Sequence, residues 1–525
     1  MRTCILSVNS PIKVELMKQR FAYLLFILIF TASLAISAGD YFTIRVIDQE
    51  TGRGVPLIEL KTVNEIAYIT DSNGMVAFNE PGLMDEDVFF HVSGHGYSYP
   101  KDGFGYSGLR LHPSAGGEAV IKIKRENIAE RLYRITGQGI YSDSLKGGAP
   151  VPIERPALNS KVAGQDSTLA ALYNGKVYWF WGDTSRAAYP LGNFKTTGAT
   201  SASPDQGGLS PDVGVNLNYF TSDSGFTKEM FSWKAKGLVW IDGLLTIKDH
   251  SGEERLICHY SRLESMSKLL EHGLAVFDDA LEEFVKLKEF DLEKTWQAPR
   301  YHPIRVKEDG VDYFYFPGWF AMTRVKADYD ALLDASQYEA FTCLEAGASY
   351  NGKDSRIVMK ESKPHYAWRK AEPTAGWHEK EWADAGMMKV EDARFLPVDG
   401  KSGEPVIIHG SSVKWNPHRN KYIMIGVQKF GTSVLGEVWY SEAGHPTGPW
   451  RKAVKIVTHN NYTFYNPVHH SFFDQDGGRL IYFEGTYTKT FSGNETATPR
   501  YEYNQIMYRL DLDRIDLDPS PDEGK

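Results

Sequence analysis

One hairpin pattern recurs through the last two-thirds of the chain: a polar residue, an apolar strand, a turn of Asn, Asp or Gly, then an aromatic-rich strand ending in glycine. Asp166-Ser-Thr-Leu-Ala-Ala-Leu-Tyr-Asn-Gly-Lys-Val-Tyr-Trp-Phe-Trp-Gly182 is the first copy. Others begin at Tyr301-His302, His409-Gly410 and His469-His470. Asp166 to Gly182, His302 to Gly318, Gly410 to Gly426 and His469 to Gly485 each span 16 positions, and a degenerate copy without its glycine covers Leu244 to Tyr260. A supersecondary unit repeated at a fixed period buries its apolar faces only by stacking on its neighbours. Two strands per repeat over residues 157–515 predict five blades of a β-propeller, with six or seven as the alternative if some repeats are poorer.

In a propeller the innermost strand of each blade borders a central channel, and the first strand of every repeat is the candidate for that position. The shared register then places Asp166, His302, His409 and His469 on a ring at the channel mouth. The competing expectation is plain: hairpins of similar length put polar residues at strand starts anyway. Three histidines in four slots, from 15 in the whole chain, favour a site.

Before the repeats, Tyr41 to Arg125 reads as short β-branched runs broken by turn residues, among them Phe42–Ile47, Leu57–Thr62, Ile66–Thr70, Met75–Phe78, Val88–Val92 and Ala119–Lys124. Their alternation predicts an all-β sandwich over residues 41–125. Asn127–Tyr133 reads as a short helix within a Gly/Pro-rich linker, 126–156, and 516–525 as a polar tail. At the start, Lys18 and Arg20 precede the apolar run Phe21–Phe30 and the small-residue exit Ser33–Ala38, which predicts a secretory signal peptide over residues 1–38 and a secreted or periplasmic protein. A retained anchor would need ~20 apolar residues. Its removal takes Arg2, Lys13, Lys18 and Arg20 against Glu15, so the net charge moves from −9 to −12. That balance excludes a general nucleic-acid binder and a protein drawn to anionic membranes once the leader is gone. Cys258 and Cys343 remain, as a disulfide or as two buried thiols.

Arg45-Val-Ile-Asp-Gln-Glu-Thr-Gly-Arg-Gly-Val-Pro56 with Thr70-Asp-Ser-Asn-Gly-Met-Val-Ala-Phe78 resembles the carboxypeptidase-regulatory-like, or transthyretin-like, domain, which implies a supporting module. The five-blade spacing and Gly164-Gln-Asp-Ser-Thr resemble the propeller glycoside hydrolases of the arabinanase type. That resemblance implies that Asp166 is the general base. The glutamate acid does not carry over, because Glu391, Glu404 and Glu484 stand outside the register. The whole layout, ending in Asn466-Pro-Val-His-His-Ser-Phe, also resembles secreted proteins of polysaccharide-degrading bacteria, including the ulvan oligosaccharide dehydratase kind.

The residues themselves allow β-elimination from a uronic acid. Arg300, Arg500 and Asn466 would neutralise the carboxylate so that the C5 proton becomes removable. His469, His302, His409 or Tyr301 would move protons. His470, Tyr501 and Trp415 would complete substrate binding. No cofactor is required, although His302, His409 and His469 could instead hold a metal ion. The leading expectation is a lyase or dehydratase acting on an acidic polysaccharide or oligosaccharide. Hydrolysis, with Asp166 as base, Glu404 or Glu484 as acid, and Trp179, Trp319 or Trp415 stacking on sugar rings, is the alternative, and a non-catalytic glycan-binding propeller the third.

Overall fold

The structure, a computed structural model, describes residues 38–517. The expected leader, save Ala38, and most of the polar tail lie outside the described residues. The described chain is all-β, with a few short helices.

The alternating run Phe42–Asp48 buries Phe42, Ile44, Val46 and Asp48 and leaves Thr43, Arg45 and Ile47 on the less covered face. It lies between Met75–Phe78 and Glu118–Arg125, and Tyr97–Ser98 completes that four-stranded sheet. A second four-stranded sheet orders Ala67–Ile69, Glu59–Thr62, Val88–Ser93 and Gly108–Leu111. Leu60, Phe90 and Val92 of the second sheet share one core with Ile44, Val46, Ile121 and Ile123 of the first. The turn before Met75 requires glycine: Gly74 has φ +74°, and a Cβ there would stand 2.4 Å from the Val46 carbonyl oxygen.

Five larger sheets follow in chain order, beside two small ones, and all their pairings are antiparallel except Val398–Asp399 with Lys452–Val457. They begin with the strands Leu169–Tyr173, Leu238–Lys248, Ile304–Glu308, Ile408–Asn416 and Thr463–His469, and each leading strand forms a hairpin with the next. The turns are built as the sequence indicates. Asn174 and Gly175 (φ 48° and 72°), like Asp309 and Gly310 (φ 47° and 82°), take the positive angles that two-residue hairpins need.

The fifth sheet corrects the expected helix and linker. Glu130–Arg134 is a fully buried strand, antiparallel to Asn504–Asp511, so a segment ahead of the first sheet completes the last. Its alternation was hidden because both faces are covered. Arg131, 1% exposed, donates to the Pro56 carbonyl at 3.0 Å, to the His95 carbonyl and to the Tyr508 hydroxyl at 3.0 Å. It thereby ties the N-terminal sheets to the fifth. His95 belongs to this contact, with Nε2 3.1 Å from the Tyr487 hydroxyl. Cys258 and Cys343 are buried free thiols.

Candidate active site

Each of the five leading strands, or its lead-in, carries a backbone irregularity. Ser167 (φ 55°), Gly243 (φ 55°), Tyr301 (φ 51°) and Asn466 (φ 50°) are left-handed, and Ile408–Asn416 is bulged between Ile408 and Gly410. For a non-glycine residue this conformation costs about 1–3 kcal/mol and persists only where the surroundings impose it. The breaks swing side chains from five sheets toward each other.

The contacts close a ring. Asp166 Oδ2 accepts from the Tyr465 hydroxyl at 2.6 Å, and Oδ1 accepts from the Asp183 amide at 2.8 Å. The Asn466 side-chain amide donates to Ser167 Oγ at 2.9 Å. A Cβ on Gly410 would stand 3.3 Å from the Tyr301 hydroxyl and 3.5 Å from Asn466 Oδ1, so only hydrogen fits between them comfortably. The Tyr301 amide donates to Asp242 Oδ1. Trp240, two residues before Asp242 on its strand, donates its indole N–H to the Phe194 carbonyl at 3.2 Å and stands close enough to Asp183 to favour its anion. Thus Asp166, Asp183, Asp242, Tyr301, Tyr465 and Asn466, all buried or half-buried, form one cluster, the rim, drawn from different sheets.

Burial raises all three carboxyl groups. The Asp166 pKa is raised by desolvation, against hydrogen bonds from Tyr465, Tyr503 and the Asp183 amide that favour its anion. Asp183 is pushed up to about 6, first by burial and then by the charge of Asp166. Asp242 is raised by burial and opposed by the Arg300 charge, whose Nη1 stands 3.9 Å from Asp242 Oδ2. Trp319, 51% exposed, meets the Tyr301 ring edge-on at 5.5 Å and His409 at 4.8 Å.

The histidines expected at the mouth are distributed differently. His409 does stand by Trp319, its pKa lowered to about 4 by burial and then by Lys429. His302 is buried one residue below Tyr301. His469 is buried farther down its strand, with Nε2 2.8 Å from Asp474 Oδ1. The reason is the long connection 470–479 between this strand and Leu480–Thr488: it puts His469 at the turn end of the hairpin, and the residues opposite Gly485 are 466–467. His470 Nε2 lies 2.6 Å from Glu484 Oε1, whose other oxygen accepts from Thr168 at 3.1 Å. Among the described residues no three His, Cys, Asp or Glu side chains are grouped as metal ligands.

Three expected substrate contacts lie apart from the rim. Arg500 pairs with Asp143 at 3.0 Å, and the buried Tyr501 donates to the Thr70 carbonyl at 2.7 Å. Both therefore hold the N-terminal region, and Tyr503 is the tyrosine of that turn that faces Asp166. Trp415 is exposed toward the far end of its strand, against Tyr422. Trp179 is fully buried against His470. Arg300 stays near the rim, held by the Thr295 carbonyl at 2.9 Å.

Asp242, Asp183, Tyr465 and Tyr503 were not among the expected site residues. The signal for Asp242 was its Asp-Gly pair inside a long strand, the usual mark of a bulge. Neither glutamate expected as an acid is at the rim: Glu484 is fully buried with His470, and Glu404 lies exposed in an outer turn.

No family model matches the chain, and no curated protein is similar to it. Among solved structures it is similar to an exo-1,5-α-L-arabinanase from a bovine ruminal metagenomic library, at 10% identity over 67% of this chain and 94% of that one, with a TM-score of 0.33. An exo-β-1,3-galactanase from Phanerochaete chrysosporium is 11% identical over 66% of this chain and 61% of that one, with a TM-score of 0.34. A GH43_1 enzyme from Xanthomonas citri is 11% identical over 67% and 88%, with a TM-score of 0.30.

Proposed function

We propose that the five sheets are the blades of a propeller, carried beside an N-terminal sandwich, and that the chain is an exported glycoside hydrolase acting on a polysaccharide or oligosaccharide. The observation that carries this reading is the rim itself: Asp166 and Asp242, buried carboxyl groups with raised pKa values, belong to one cluster that joins the sheets.

Hydrolysis of a glycosidic bond needs one ionised and one protonated carboxyl group flanking it. Asp166 is the base, because the hydroxyl and amide donors around it favour its anion. Asp242, on the next sheet, is the acid: burial favours its neutral form against the Arg300 charge and the Gly243 and Tyr301 amides. Trp319 supplies an exposed ring face for stacking. Elimination has weaker support. Arg500 is committed to Asp143, and His469 and His470 are committed to carboxylates, so neither a free guanidinium pair nor a free neutral imidazole pair stands at the rim.

The test is incubation with a panel of polysaccharides and oligosaccharides, neutral and uronate-containing. New reducing ends without a rise in ultraviolet absorbance are expected. A rise from a conjugated double bond would restore elimination.

Asp183 gives a pH prediction. Its anion repels that of Asp166, so the two titrate as a pair. Removing the repulsion in Asp183→Asn lets Asp166 ionise at lower pH, and activity should persist into more acid solution. The acid limb of kcat/KM checks this, and an unmoved limb would uncouple Asp183 from the base.

A further inference from the structure

The first N-terminal sheet is unfinished along one edge. Glu118–Arg125 pairs with Phe42–Asp48 over residues 118–123, whereas its other side meets a neighbour only at Lys124 and Arg125, from Ser98 and Tyr97. Pro100 has no N–H to extend that second ladder, and the chain leaves through a hairpin bridged between Lys101 and Ser107. The Gly117 and Ile123 carbonyls accept from the Thr43 and Gln49 amides at 3.0 and 2.9 Å, so odd-numbered positions bond Phe42–Asp48. The backbone groups of Val120 and Lys122 therefore point the other way. Among the described residues no strand meets them there. Beside them lies a groove of about 400 Å³, with Ser98, Tyr99, Pro100 and Leu109 in its walls.

The open stretch is self-complementary. Turned antiparallel about Val120, a second copy of the chain sets its Lys122 opposite Glu118 and its Glu118 opposite Lys122, with Val120 against Val120. Lys124 is already paired with Glu126, but among the described residues neither Glu118 nor Lys122 has an ion-pair partner. Val120 is 57% exposed between them. We propose that the protein forms a two-fold dimer by antiparallel pairing of Glu118–Lys122 between two copies, which joins their first sheets into one. Ser98 occupies the edge at Lys124 and limits the shared ladder to that stretch. Phe104, 90% exposed on the hairpin that leaves the groove, adds apolar surface for the second copy to cover. A ladder this short makes a dimer that dissociates on dilution. The dimer does not depend on the hydrolase reading.

Sedimentation of the purified protein across a concentration series tests this. The parent should pass from monomer to dimer as concentration rises. Glu118→Lys and Lys122→Glu should each weaken the dimer about tenfold, because each sets two like-charge pairs across the axis. Both side chains are exposed, so both variants should fold, and circular dichroism checks that. An equimolar mixture of the two variants should dimerise as the parent does, since every pair across the axis is again of opposite sign. The double variant should regain the dimer for the same reason. A parent that stays monomeric overturns the proposal. So does a dimer that neither variant weakens, or one that the mixture does not restore. A monomeric parent that instead binds polygalacturonate, with the affinity lost in Lys122→Glu, would give the groove to an acidic glycan and overturn it as well.

Discussion

Asp166→Asn is expected to lower kcat by roughly 10³-fold while leaving the protein folded. The amide oxygen can still accept from the Asp183 backbone or the Tyr465 hydroxyl, so the local geometry has replacements for its hydrogen bonds. What disappears is the charge. Burial raises the Asp166 pKa, so its anion is disfavoured in the folded state relative to the unfolded one. Stability contributed by the protonated form is lost as pH rises from the ordinary aspartate range through the raised value. The asparagine has no such loss, and its Tm near neutral pH should equal or exceed that of the parent. Turnover and Tm measured on one preparation check both halves. Near-normal turnover would remove Asp166 from the chemistry, whereas lost turnover with lost folding would make it structural.

Arg131→Ala should cost about 3–5 kcal/mol of stability, the range for removing one partner of a buried polar network. The guanidinium is fully enclosed, and its acceptors come from two regions: Pro56 and His95 on one side, Tyr508 on the other. The variant leaves these acceptors unsatisfied around a cavity. Denaturant unfolding gives the value, and a change below about 1 kcal/mol would mean that water replaces the guanidinium at little cost. Because Arg131 lies on the strand that completes the fifth sheet, the same variant should also loosen the rim through Tyr465 and Asn466.

Much of this fold is legible in the residues, and the reason is local. Phe42–Asp48 alternates because one face meets a core and the other meets solvent. The Asn-Gly and Asp-Gly turns at 174–175 and 309–310 fix hairpin length, which made the repeats countable. The candidate site was harder to read because a period-two count fails at irregular backbone. The count also assumes a short turn, and in the fifth sheet the strands are joined through 470–479, so counting back from Gly485 lands on His469 at the turn instead of on Asn466. In the second sheet the hairpin lacks its closing glycine, and counting from Leu244 begins two residues beyond Asp242. Glu130–Arg134 does not read as a strand for another reason: it is covered on both faces, yet Glu130, Arg131 and Arg134 are charged and are satisfied by Arg509, Pro56 and Gln138 rather than by water. Arg500 and Tyr501 repeat the Pro-Arg-Tyr unit at Arg300 and Tyr301, yet their polar groups are satisfied by Asp143 and Thr70. Sequence likeness there did not survive a different set of neighbours.

The most direct measurement is a crystal structure of Asp166→Asn with the oligosaccharide that the parent cleaves. The account expects one sugar ring held between residue 166 and Asp242, with Trp319 against a ring face and the cleaved bond within hydrogen-bond reach of Asp242. A chain bound elsewhere, or a rim in which those two side chains face away from a common ligand, would contradict it.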